Sequence, residues 1–188
     1  MKKILVVLAA IFIAINVMAE EHLSFKGIPI EGSMTEFCQK LKEKGFTPIK
    51  RENNTAFFTG NFTGRQSTII VIATDNGTNV FSVNVFFDPN KEWNILVDTY
   101  DYYKDLYSKK YGEPSFSKES NPALSDSNTD LMYELYDGKV VYGSVWEPKG
   151  GDIELSIQKS TRLEGVVVIR YRDSQNVENK IQNDLDDI

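Results

Sequence analysis

The period of apolar and polar positions changes along this chain, and the changes predict two rounds of one helix followed by antiparallel strands. The first helix starts at a capping box, because Ser33 and Glu36 can each satisfy a free backbone N–H of the other. It ends at Gly45, and Pro48 prevents its continuation. Apolar positions alternate over residues 46–87 and short turns separate the runs, so we expect strands that pair antiparallel.

A longer helix is predicted between Asp88 and Gly112. Asp88 is a suitable N-cap, with Pro89 at the first helical position, where a missing N–H costs nothing. Its apolar residues recur at three- and four-residue steps, so this helix should cover much of a sheet. The stripe consists of Trp93, Leu96, Val97, Tyr100, Tyr103, Tyr107 and Tyr111. Tyr102 lies off the stripe, and it is the aromatic residue of this helix that we expect to be exposed for binding.

The second strand block begins after a polar loop and contains a predicted β-hairpin. Residues 115–130 are rich in Ser, Asn and Asp and predict a loop, with room for a short strand at its start. The dipeptide Asp137-Gly138 favours a type I′ turn. We therefore expect residues 131–136 and 139–146 to pair as strands.

This hairpin register places Tyr136 beside Glu134 and Val141 on the face away from the core. An exposed aromatic in such a place is typical of an interface, although a merely solvated sheet face is an equally open alternative. Residues 165–171 are apolar on both faces, which indicates a central or doubly covered strand.

These elements predict an α+β protein, one compact body in which an antiparallel sheet is covered by helices on one face. Residues 20–87 form the first helix–sheet unit and residues 88–173 the second, and residues 174–188 form a C-terminal tail or a short helix. Both units have the order helix, Gly, Pro, strands. A true duplication and a single sheet crossed by two helices both remain open.

Residues 1–19 have the pattern of a secretory signal peptide. Lys2 and Lys3 precede an uncharged, mostly apolar run over residues 4–17. Val17 and Ala19 then place small residues at the two positions that a signal peptidase recognises. The alternative is an uncleaved anchor helix, but the run is shorter than the roughly 20 residues that span a bilayer. We therefore expect cleavage near Ala19 and a periplasmic or secreted protein.

The charge of the chain argues against two classes of partner. Its formal net charge is −6, and it becomes more negative without the leader, which contains two lysines and no acid. An acidic chain repels nucleic acid and anionic lipid, so we expect no nucleic-acid partner and no membrane association after cleavage. Cys38 is the only cysteine and lies at an apolar position of the first helix. Core packing is the main interpretation, and a reactive or intermolecular thiol is the alternative.

No catalytic, metal or cofactor signature stands out. His22 is the only histidine, and its polar surroundings predict a solvated residue. Residues 126–130 match the first three ligand positions of a calcium loop, but Leu131 and Asp137 occupy the places of the required Gly and Glu, so a solvated loop is expected. Carboxylates are numerous, which leaves a glycan hydrolase open as an alternative.

Several motifs indicate a resemblance to known proteins. FKGIPIEG, the VFFDP–W–Y–KYGEP run and the late GDIELSI and VVVIRYRD segments are similar to small exported proteins of Bacteroides-type bacteria. The layout of helix and antiparallel strands, given twice, resembles that of the β-lactamase inhibitory protein family. That resemblance implies a concave sheet surface that grips another protein, although that family has disulfides and Cys38 cannot form one within this chain.

The leading expectation is therefore a non-catalytic, protein-binding or inhibitor-like module of the bacterial envelope, without a cofactor. Tyr102, Glu134 and Tyr136 are its candidate binding residues. The alternatives are a carboxylate-based glycan hydrolase and an envelope structural or assembly factor.

Overall fold

An eight-stranded antiparallel sheet dominates the computed structural model of this chain, which describes residues 22–74, 77–120, 127–186 and 188. The predicted signal peptide and Asp126 of the calcium-like segment lie outside the described residues. In chain order the elements are β1 (Ser24–Phe25), β2 (Ile28–Pro29), α1 (Met34–Glu43), β3 (Thr47–Glu52), β4 (Thr55–Phe62), β5 (Arg65–Ala73), β6 (Val80–Phe87), α2 (Trp93–Tyr111), β7 (Phe116–Ser120), α3 (Asn128–Tyr136), β8 (Val141–Trp146), β9 (Gly151–Thr161), β10 (Glu164–Asp173) and α4 (Ser174–Asp186).

The strand order in the large sheet is β3-β4-β5-β6-β10-β9-β8-β7, while β1 and β2 form a separate small hairpin. The first half of the chain supplies β3 to β6 and the second half supplies β7 to β10. The two sets meet where β6 pairs with β10, with Val85 opposite Ile169 and Val83 opposite Tyr171. One continuous sheet therefore joins both predicted units, and a duplication stays a prediction.

Helices α1, α2 and α3 pack on the same face of this sheet. The Tyr100 hydroxyl of α2 hydrogen-bonds to Ser144 of β8 at 2.7 Å. Leu135 of α3 lies over Gly165 of β10, within 3.0 Å of where a Cβ would stand. Leu41 of α1 is fully buried in the same core. The structure thus confirms the predicted α+β class, with an antiparallel sheet covered by helices on one face.

The first two helices show how far local signals extend. Helix α1 has the expected capping box, with the Ser33 hydroxyl accepting from the Glu36 backbone N–H. In α2 the predicted stripe is buried except for Val97 and Tyr111, which are half-buried. The predicted start at Asp88 is wrong, because the helix begins at Trp93 with Glu92 as its N-cap. The residues between them are extended, since Asn90 forms an antiparallel bridge with Gly165 on β10.

The predicted hairpin around Asp137-Gly138 is wrong, because residues 128–136 form helix α3. Ser127 caps this helix by accepting a hydrogen bond from the Asp130 backbone N–H. Leu131 and Leu135, one turn apart, are both buried, so the segment gains more from docking as a helix than from an exposed hairpin. Gly138, with a φ of +76°, follows the helix as a left-handed terminating residue.

The C-terminal residues form α4, which leaves the sheet at the end of β10. Its first turn is fixed by Asn176, whose side-chain amide donates to the carbonyls of Ile30 at 2.9 Å and Val80 at 3.1 Å. From Ile181 onward its described residues are exposed. Among the described residues, none of the helices has the length and apolarity that a membrane span would need.

Candidate functional site

The opposite face of the sheet, which we call the open face, is not covered by α1, α2 or α3. One row of directly paired side chains crosses this face from edge to edge. The row, which we call the transverse row, consists of Lys50, Phe57, Ile70, Asn84, Arg170, Glu154, Val145 and Phe116, one from each of the eight strands. Because neighbouring strands lie about 4.8 Å apart, the row is roughly 33 Å long.

Exposure along the transverse row increases from the centre toward the edges. Asn84 at the centre is buried, whereas Phe57, Ile70 and Val145 are half-buried. Phe116, on the edge strand β7, has 56% of its surface exposed. The row therefore presents apolar and aromatic side chains on both sides of a polar centre.

The charges at the centre of the open face are paired with each other. Arg170 donates to Glu154 at 3.1 Å across the β10–β9 pair. Two residues further along the same pair of strands, Arg172 and Asp152 form a second ion pair of 2.8 Å. These cross-strand pairs neutralise the centre of the face, so an approaching surface would meet no strong field of one sign there.

All three residues predicted for binding lie on helices: Tyr102 on α2, as expected, but Glu134 and Tyr136 on α3 instead of a sheet face. Tyr102, 44% exposed on α2, has its ring 5.7 Å from the Arg65 guanidinium and edge-on to Tyr103. Tyr136 is 43% exposed near the end of α3, with the Lys159 ammonium 4.9 Å from its ring. The strand pairing expected to place Glu134 and Tyr136 beside Val141 is therefore wrong.

Glu134 has one unusual feature. Its Oε2 atom is buried and has no hydrogen-bond partner in the described part of the chain. Its backbone carbonyl accepts from the N–H groups of Lys139 and Val140, which fixes the end of α3. These contacts involve only its backbone, and a binding role for Tyr102, Glu134 and Tyr136 stays a prediction.

Two residues singled out in the sequence have well-defined surroundings. His22 was expected to be solvated, but its ring is partly buried and hydrogen-bonds to Asp173 at 3.0 Å. Cys38 on α1 is half-buried and packs against the core. Burial raises the pKa of the Cys38 thiol, and the nearby Arg51 and Lys42 only partly oppose this, which favours the core-packing interpretation.

Within the described ranges, no group of three or more His, Cys, Asp and Glu side chains is placed to hold a metal ion. Comparison with known protein families, with curated proteins and with solved structures finds no match to this chain. The resemblances suggested by the sequence motifs therefore stay predictions.

The transverse row was not recognised from the sequence, although part of its signal was present. Residues 165–171 are apolar on both faces, which correctly indicated a central strand. The same feature means that this strand presents apolar side chains to both faces. What the sequence lacks is the pairing register that aligns Phe57 with Ile70 on one side and Val145 with Phe116 on the other.

Proposed function

We propose that this chain is a non-catalytic, exported binding module that holds a protein partner on the open face of its sheet. The transverse row is the observation that supports the proposal. It combines exposed or half-buried Phe57 and Phe116 with a central Arg170, and aromatic residues and arginine are the side chains enriched at protein interfaces.

The dimensions of the open face also support this proposal. Its width is roughly 33 Å, and eight residues along a strand extend about 26 Å. The product, on the order of 850 Å², is close to the roughly 800 Å² that each partner buries in a standard protein–protein interface. The hydrogen-bonded sheet beneath the row would keep it rigid, so little conformational entropy would be lost when a partner binds.

An inhibitor-like role is part of the same proposal. A rigid face with neutralised central charges and apolar flanks suits a partner that docks without entering a deep cavity. The predicted signal peptide would place both molecules in the bacterial envelope. The layout resemblance to the β-lactamase inhibitory protein family points in the same direction, but we transfer no binding residue from it.

The experiment is affinity capture from a periplasmic extract with the exported chain as bait, run in parallel with matched variants. Phe57→Ala and Phe116→Ala remove the aromatic groups of the row, one on each side of its centre. Tyr102→Ala and Tyr136→Ala remove exposed aromatics from the helix side and serve as controls. We expect the row variants to weaken retention of the same partner about tenfold or more each, as loss of an interface hot spot does.

The outcomes separate the proposal from its alternatives. Loss of retention in Tyr102→Ala or Tyr136→Ala, with the row variants unaffected, would move the interface to the helices. Absence of any specifically retained partner, together with hydrolysis of a glycan substrate, would support the carboxylate-based hydrolase. Retention of several envelope components, unchanged in all four variants, would support an envelope structural or assembly factor.

A further inference from the structure

A cleft lies on the helix-covered side of the sheet, between the β1–β2 hairpin, the C-terminal half of α2 and the end of β10. Its volume is about 650 Å³. Small-molecule sites in proteins typically measure about 300–1,000 Å³. The cleft is therefore large enough to enclose most of a small organic ligand.

The walls of the cleft are aromatic, and most of their polar atoms are already bonded within the protein. The hydroxyl groups of Tyr107 and Tyr171 hydrogen-bond to each other in the interior. The Tyr103 hydroxyl bonds to the Thr63 hydroxyl at 2.6 Å and donates to the Phe62 carbonyl at 3.3 Å. Because these phenol oxygens are satisfied, the rings present mainly their carbon surfaces, and the body of a ligand here must be largely apolar.

The rim of the cleft has the opposite character, because it is cationic. Lys26 in the β1–β2 turn, Lys110 on α2 and Lys149 in the β8–β9 turn are exposed and line the cleft. None of the described residues that line it is acidic, although acids outnumber bases 27 to 21 in the whole chain. Lysines from three separate elements thus line one opening of an otherwise acidic protein. Lys149 already interacts within the protein, so Lys26 and Lys110 are the cations left to attract a ligand.

His22 also lines the cleft, but both of its ring nitrogens face carboxylates of the protein. Its Nδ1 atom bonds to Asp173 at 3.0 Å, and its Nε2 atom lies 3.4 Å from Glu31. Lys26 and Lys110 therefore supply the cationic character of the opening. The Lys26 ammonium lies 5.8 Å from the ring of Phe46 and 5.9 Å from that of Phe62, above the aromatic wall and at the boundary with solvent.

We propose that this cleft binds a small organic anion, a carboxylate carried on an aromatic or acyl body. The body would lie against the rings of Tyr107, Tyr111 and Phe62, and the carboxylate would remain at the rim beside Lys26 and Lys110. The cleft and the open face lie on opposite sides of the sheet. The two proposals therefore concern separate surfaces and can fail independently.

Isothermal titration of the exported chain tests this with three probes: 2-naphthoate, the uncharged 2-naphthamide, and decanoate. We expect at least one carboxylate to bind at least tenfold more tightly than the amide. Comparison of 2-naphthoate with decanoate then identifies whether the preferred body is aromatic or acyl. Failure of both carboxylates to bind at least tenfold more tightly than the amide would overturn the proposal.

Variants on α2 supply a matched control, because Lys109 and Lys110 are adjacent and both exposed but only Lys110 lines the cleft. Lys110→Gln should weaken carboxylate binding, and Lys26→Gln with Lys110→Gln should weaken it at least tenfold, whereas Lys109→Gln should leave it unchanged. Leu106→Trp, which fills the cleft from α2, should abolish binding while urea unfolding shows that the fold is retained. Equal effects of the Lys109 and Lys110 changes would show general surface attraction and contradict the site.

Discussion

The imidazole of His22 and the carboxylate of Asp173 share a hydrogen bond of 3.0 Å, which links the first described residue of the chain to the end of β10. Asp173 is completely buried, and it also accepts from the backbone N–H groups of Leu23 at 2.9 Å and Asn176 at 3.0 Å. One carboxylate therefore fixes the N-terminal hairpin, the last strand and the start of α4.

The first prediction concerns this carboxylate. Asp173→Ala would leave the buried N–H groups of Leu23 and Asn176 without their acceptor, and each such group costs roughly 1–3 kcal/mol. We expect the free energy of unfolding to fall by about 2 kcal/mol or more in urea titrations. His22→Ala should cost less, about 1 kcal/mol, because the ring is only partly buried. The exposed Asp186→Ala is the control, and a loss in Asp173→Ala no larger than in this control would contradict the assignment.

The boundaries of α1 were predictable because every signal that defines them is local. Ser33, Glu36 and Gly45 lie within the helix or next to it. The start of α2 was not predictable, because Asn90 is held in an extended conformation by Gly165, a partner distant in sequence. Local chemistry thus located the helices that end in solvent-exposed turns, and it failed where a long-range pairing competes with helix formation.

The prediction at helix α3 failed for a second reason, because the dipeptide Asp137-Gly138 is compatible with two different structures. A glycine with positive φ suits a type I′ hairpin turn, and it equally suits the residue after a helix. The choice depends on docking of Leu131 and Leu135 against the core, which the sequence of a short segment does not reveal.

The second prediction distinguishes these two structures of residues 131–136. A hairpin would bury Tyr133 and expose Met132, whereas α3 buries Met132 and leaves Tyr133 38% exposed. Met132→Ala should therefore cost about 2–4 kcal/mol of unfolding free energy, as cavity-forming changes in a core do. Tyr133→Ala should cost less than about 1 kcal/mol. A larger loss for Tyr133→Ala than for Met132→Ala in thermal or urea unfolding would support the hairpin instead of α3.

The third prediction uses the two glycines Gly151 and Gly143. At Gly151, the first residue of β9, an added Cβ would overlap the backbone carbonyl of Arg172, and neither strand can move without breaking the sheet pairing. Gly151→Ala should cost about 3 kcal/mol or more, or prevent folding. Gly143 on β8 has its nearest atom, the Leu155 carbonyl oxygen, 3.9 Å from the added Cβ. Gly143→Ala should fold normally, and a similar loss in both variants would contradict the packing around β9.

The open face was beyond prediction for a related reason. The sequence shows which residues of a strand share a face, but the transverse row depends on seven registers between strands. One of them pairs Asn84 of β6 with Arg170 of β10, 86 residues apart in the chain. Bulges in β3 and between β5 and β6 shift these registers further. The aromatic stripe of α2 needed no such information, because its period alone places Tyr100, Tyr103 and Tyr107 in the core.

The fourth prediction is a loss of stability in alkali caused by the buried tyrosines. Burial raises the pKa of Tyr100 to about 12, and the pKa values of Tyr107 and Tyr171 are also raised, mainly by burial. In the unfolded chain these groups titrate near about 10. Between about pH 10 and pH 12 the unfolded state therefore binds fewer protons than the folded state, so the free energy of unfolding falls as pH rises. Below about pH 10 this stabilisation is fully present.

The size of the effect can be checked by urea unfolding at about pH 8 and about pH 11, since each such tyrosine contributes up to about 1.4 kcal/mol per pH unit in this window. Tyr100→Phe removes one titrating group, so its alkaline loss should be smaller than in the original chain. Ser144→Ala is the matched control, because it deletes the same 2.7 Å hydrogen bond but retains the phenol. The Ser144 hydrogen bond lowers the Tyr100 pKa, and its removal should leave the alkaline loss undiminished. An equal loss in Tyr100→Phe and in the original chain would show that this phenol does not govern the alkaline transition.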